Sequence, residues 1–119
     1  MTRYFVGLSL TTIALTAALA AQSEQKVSGH LVDGVCAKNH ATEPGYKEKH
    51  ENKCNLHDSC IKSGYSLILS DNRVLKFDEK GNEQALAFVK AATKEKDLKV
   101  TVTGAVSGDT IAVKSIALD

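Results

Sequence analysis

Apolar and polar residues alternate strictly near the end of the chain, and this pattern limits the possible folds more than any other. Its two halves read LKVTVTGAVSGD and TIAVKSIAL, and Ser107-Gly108-Asp109 supplies a turn signal between them. A period of two places alternate side chains on opposite faces of a strand. The pattern therefore predicts an antiparallel hairpin formed by residues 98–109 and 110–118.

Three further strands and one helix are predicted upstream of this hairpin. The first strand contains Gly29 and Gly34, which favour a bend or a bulge, and apolar residues at helical spacing follow Asn82, a candidate cap for the helix. The predicted strands are 26–36, 65–70 and 73–78, and the predicted helix is 83–96. The fold class is thus mainly β with one helix, in the order β-β-β-α-β-β.

This order of elements resembles the OB-fold, a five-stranded Greek-key barrel. The closing hairpin, KVTVTGAVSGDTIAVKSI, resembles that of small exported bacterial OB-fold proteins. The succession of VDGVC, a Cys/His-rich loop and CIKSGY resembles a group of such proteins with no assigned activity. The resemblance implies an OB-fold-like five-stranded barrel and an exported protein, and it brings no catalytic residues. An open five-stranded sheet with one helix is the alternative.

The first 21 residues have the pattern of a secretory signal peptide. Arg3 is followed by an uncharged stretch that ends in Ala18-Leu19-Ala20, a small-x-small pattern suited to a signal peptidase. Gln22 follows, where a lipoprotein would need a cysteine. The prediction is a signal peptide at 1–21 and one domain at 22–119, periplasmic or secreted, with no stable membrane insertion after cleavage.

The charge balance argues against nucleic acid as a partner. The chain has 15 Lys and Arg against 14 Asp and Glu, and Arg3 is the only charged residue of the signal peptide. The mature domain is therefore formally neutral, and it lacks the electrostatic term that usually drives binding to phosphate backbones.

All four histidines and all three cysteines lie between His30 and Cys60. Residues 37–60 contain few aliphatic side chains, so we predict a long Cys/His-rich loop between the first and second strands. Thiolate and imidazole donors together suit zinc or copper. If residues 47–60 were helical, four of these donors would project from one stripe. The best candidate metal ligands are Cys54, His57 and Cys60, followed by Cys36, His40 and His50.

A second interpretation needs no metal. In an oxidising compartment two of the three cysteines would pair, and either Cys54 or Cys60 could be joined to Cys36. The protein would then be a disulfide-stapled module that binds a protein or glycan partner. No protease motif and no C-x-x-C is present, so we expect a binding protein and not an enzyme. Asp33 in LVDGVC is interpreted as a turn or bulge residue.

Overall fold

The computed structural model describes residues 23–119, and the predicted signal peptide at 1–21 lies outside the described residues. No helix in residues 23–119 has both the length and the apolar character needed to span a membrane. The elements are β1 (Gln25–Asp33), α1 (Gly34–His40), α2 (Tyr46–Lys49), a 3-10 helix (Asn52–Leu56), α3 (Asp58–Ser63), β2 (Tyr65–Ile68), β3 (Val74–Phe77), α4 (Glu79–Ala91), β4 (Lys99–Ser107) and β5 (Thr110–Leu118).

The five strands form one mixed sheet in the order β1-β2-β3-β5-β4, and β1 also pairs with β4, so that the sheet closes on itself. Neighbouring strands are antiparallel except β3 and β5, which run parallel where Lys76 pairs with Thr110 and Phe77 with Ile111. The predicted set of five strands, with a helix between the third and the fourth, is confirmed. So is the closing hairpin, in which the two strands pair along their whole length.

The sheet closes through β1, which is shared between two partner strands. Its first part, up to His30, pairs with β4, and its last part, from His30 to Asp33, pairs with β2. Gly29 lies at this change of partner, where a Cβ atom would come within 2.6 Å of the carbonyl oxygen of Ile68. The glycine therefore allows β1 and β2 to approach closely at the closure point.

The main core lies inside the closed sheet and beneath α4. The side chains of Leu67, Val100, Val102 and Ile111 are fully buried. Burial alternates along β4 as the period of two predicts. Helix α4 contributes Ala85 and Val89 to the same core. Leu31 belongs to this core as well, so the core extends along β1 to the end of the strand, where the candidate site begins.

Helix α4 begins four residues earlier than predicted. Asp78 is its N-cap, and the side chain accepts a hydrogen bond from the backbone nitrogen of Gly81 at 2.9 Å. Asn82, the predicted cap, instead accepts a hydrogen bond from the backbone nitrogen of Tyr65. The helix also ends earlier, at Ala91, where the side chain of Asn52 donates to the carbonyl oxygen of Val89 at 3.0 Å. The start of the helix is thus determined by the cap at Asp78 and not by the apolar residues at helical spacing that follow Asn82.

The prediction of a single helix is wrong, because the Cys/His-rich segment contains three short α-helices and the 3-10 helix. These turns are held by buried polar anchors. Asn55 is fully buried; its side chain accepts from the backbone nitrogen of Asp33 and donates to Asn52, and its carbonyl oxygen accepts from the Tyr65 hydroxyl. A small second core, which includes Ala37, supports α1. Anchors of this kind leave no periodic pattern in the sequence.

Candidate metal centre

Asp33 is the central residue of the candidate site. It ends β1, caps α1 and is 0% exposed. Its Oδ2 accepts a hydrogen bond from the backbone nitrogen of Cys36 at 3.0 Å, and its Oδ1 lies 3.1 Å from Nε2 of His50. Its own backbone nitrogen donates to Asn55 at 2.9 Å. The carboxylate is therefore fixed in position at the junction of the sheet and the loop.

Two further donors join this carboxylate. One ligand atom each from Asp33, Cys36 and His50 lie within 4.8 Å of one another, and this donor trio could hold a metal ion. The His50 side chain is only 4% exposed, and its backbone nitrogen, at the end of α2, donates to the carbonyl oxygen of Tyr46. The trio thus combines a carboxylate, a thiol and an imidazole in a largely buried position.

The electrostatics of the trio follow from its burial. Burial raises the pKa of Asp33, but hydrogen bonds from His50 and Cys36 outweigh this effect, so the pKa is lowered and the group is a carboxylate. Burial, with the neighbouring negative charge of Asp33, raises the pKa of Cys36 to about 11. A metal ion bound here would have to displace the thiol proton.

Three aromatic rings, one of them His50 of the trio, lie against one another at the site. The ring of Tyr46 stacks on that of His40 at a centroid distance of 4.8 Å, and the ring of His50 lies 5.8 Å away. Burial raises the pKa of the Tyr46 hydroxyl, as does its interaction with the thiol of Cys36. Nδ1 of His40 lies 2.6 Å from a carboxylate oxygen of Glu43. His40 is therefore next to the site but outside the donor trio.

The structure does not gather Cys54, His57 and Cys60 into a group of donors. Residues 47–60 do not form one helix, because the backbone is extended at His50 and at His57, on either side of the 3-10 helix. His57 is exposed, whereas the other two are half-buried on separate elements. Of the six predicted ligands, only Cys36 and His50 belong to the trio.

The sequence does not identify Asp33 as a donor, because a carboxylate that follows a strand is also typical of a turn. Its position three residues before Cys36 was the available signal, since an N-cap carboxylate faces the first turn of its helix. That spacing brings the Asp33 side chain to the backbone of Cys36. The third donor, His50, follows α2 and is distant in sequence, so no local spacing indicates that it joins the other two.

The three cysteines are unpaired in the described part of the chain. Helix α1 carries Cys36, the 3-10 helix carries Cys54 and α3 carries Cys60. The disulfide-stapled interpretation requires a bond between Cys36 and one of the other two.

His30, the remaining histidine, belongs to a separate contact. Its Nε2 lies 2.6 Å from Oδ1 of Asp97, and this hydrogen bond lowers the pKa of Asp97. Asp97 has a φ of 56°, a conformation that asparagine tolerates well. The contact links β1 to the segment before β4 and takes no part in the donor trio.

We expect Asp97→Asn to lower the free energy of unfolding near pH 7 by less than about 1 kcal/mol, because the carboxylate is half exposed and solvent screens it. The folded pKa of Asp97 is lowered, so its contribution is present above the unfolded value of about 3.9 and is lost as the pH falls through the folded pKa. Urea unfolding of both proteins across this range should show the difference shrinking in acid. A difference that stays constant down to the lowest pH would contradict this.

In comparisons with known proteins, no family model, no curated protein and no solved structure matches this chain.

Proposed function

We propose that this protein is an exported, non-enzymatic binding protein that takes up zinc or copper at Asp33, Cys36 and His50. The observation that carries the proposal is the donor trio itself, three ligand atoms within 4.8 Å of one another in a largely buried position. Two of its members, Cys36 and His50, are also among the ligands predicted from sequence.

The chemistry of the donors supports this choice of ions. Zinc accepts thiolate, imidazole and carboxylate ligands, and copper binds the first two strongly. In the absence of metal, Nε2 of His50 is hydrogen-bonded to the Asp33 carboxylate, so these two ligands lie next to each other before an ion binds.

The scaffold supports a proposal of OB-fold-like architecture. The closed order β1-β2-β3-β5-β4, with α4 between β3 and β4, fits a five-stranded Greek-key barrel. The connection between β1 and β2 then carries the site, as long loops on a rigid scaffold often do. Export through the signal peptide at 1–21 is part of the same proposal.

We expect mature protein purified without a chelator or a metal-binding tag to contain nearly one zinc or copper ion per chain. His50→Ala should weaken binding about 100-fold or more, because it removes a ligand and leaves the Asp33 carboxylate without its partner. Elemental analysis and competition with a chromophoric chelator would measure both effects.

His57→Ala is the matched control, since His57 is exposed and lies outside the trio. It should bind metal as the unaltered protein does. If neither purified protein nor protein reconstituted with zinc or copper holds metal, the proposal fails. A thiol count showing one free cysteine per chain would then support the disulfide-stapled module with a protein or glycan partner.

A further inference from the structure

The donor trio leaves one position of a tetrahedral site to be filled. Structural zinc sites are nearly always four-coordinate, with all four ligands from the protein. If the proposed function holds, a half-buried donor next to the trio supplies the fourth ligand and completes the site.

Helix α3, which carries Cys60, lies against the start of α1, which carries Cys36. The start of α1 is tied to the end of α3 by a hydrogen bond of 2.8 Å from the nitrogen of Gly34 to the carbonyl oxygen of Gly64. A Cβ atom on Gly34 would lie 2.9 Å from the carbonyl oxygen of Ser63. The two helices therefore meet closely, and each presents one cysteine.

The end of α3 lies opposite Asp33. Asp33 pairs with Tyr65 across β1 and β2, and Cys60 lies one helical turn before Gly64, the residue that precedes Tyr65. Burial raises the pKa of the Cys36 and Cys60 thiols, and the charge of the Asp33 carboxylate raises both further. Cys60 is half-buried on α3. Asp33 is thus the common neighbour of three other donors: Cys36, His50 and Cys60.

We propose that Cys60 is the fourth ligand and that the site is a tetrahedral zinc centre of Asp33, Cys36, His50 and Cys60. Two thiolates, one imidazole and one carboxylate form a donor set of mixed softness, which suits the borderline Zn²⁺ ion. Cuprous ion favours sulfur more strongly and gains less from the carboxylate. The inference therefore selects zinc from the two ions of the proposed function.

The test is a titration of the mature, reduced protein with Co²⁺, a spectroscopic substitute for zinc, followed by displacement with Zn²⁺. The unaltered protein should show the visible bands of tetrahedral cobalt and thiolate-to-metal charge transfer. Cys60→Ser should lose about half of the charge-transfer absorbance, because one of two thiolates is gone, and should bind Zn²⁺ at least about tenfold more weakly. Cys54→Ser, on the neighbouring 3-10 helix, is the matched control and should retain both properties.

X-ray absorption at the zinc edge of the unaltered protein counts sulfur ligands without any substitution. Two sulfurs at about 2.3 Å are expected, and one sulfur would overturn the assignment of Cys60. A Cys60→Ser protein with unchanged spectrum and affinity would overturn it as well, while leaving the proposed function intact. If the unaltered protein binds copper but neither Co²⁺ nor Zn²⁺, the inference fails and the proposed function stands. If it binds none of the three ions, both fail.

Discussion

Replacing Asn55 with leucine should lower the free energy of unfolding by about 3 kcal/mol, because buried polar groups would lose their partners without gaining water. The side chain of Asn55 accepts from the backbone nitrogen of Asp33 at 2.9 Å and donates to the carbonyl oxygen of Leu31 and to Asn52. Leucine has a similar size but cannot replace any of these bonds. For a domain of this size, the melting temperature should fall by about 12 °C or more.

The same substitution should weaken metal binding, because Asn55 fixes the backbone of Asp33. Thermal unfolding with and without zinc would measure both effects. Asn39→Leu is the control: Asn39 is exposed on α1, so its replacement should change the free energy of unfolding by at most about 0.5 kcal/mol. Equal stabilities of the Asn55 and Asn39 variants would show that the buried network does not support the loop.

The strands could be predicted from the sequence because each leaves a local pattern. The alternation from Leu98 to Leu118 indicates two half-buried strands, and in the structure these strands pair along their whole length. The bounds of α4 were harder to predict. Asp78 outweighs the apolar spacing as the start signal, because its side chain satisfies a free backbone N–H of the first turn.

The candidate site could be predicted only in part. The density of His and Cys between His30 and Cys60 located the segment, and Cys36 and His50 are in the trio. Helical spacing failed for Cys54 and His57, because residues with extended backbone interrupt the segment, so that Cys54 is half-buried and His57 is exposed. The long-range bonds of Asn55 that set this geometry have no local signature.

Gly29→Ala should destabilise the protein by about 3 kcal/mol or prevent folding. The new Cβ would lie 2.6 Å from the carbonyl oxygen of Ile68 and 2.7 Å from Cγ of Leu67. The side chain of Leu67 is fully buried and the carbonyl belongs to β2, so neither can move without separating β1 from β2. Overpacking of this kind costs about 1–3 kcal/mol, and here it also disrupts the strand pairing that closes the sheet.

Whether Gly29→Ala destabilises or stabilises the protein tests whether close packing requires a glycine at this position. At a strand position without this contact, alanine would stabilise the protein by about 0.4–1 kcal/mol, because it restricts the unfolded chain. Gly108→Ala measures the cost of a positive φ without a steric clash, because Gly108 has a φ of 59° and nothing lies near its Cβ position. We expect it to lower the free energy of unfolding by about 1–2 kcal/mol. Urea unfolding of both variants should rank Gly29→Ala as the more damaging. A neutral or stabilising Gly29→Ala would mean that β1 and β2 do not meet as closely as the closed sheet requires.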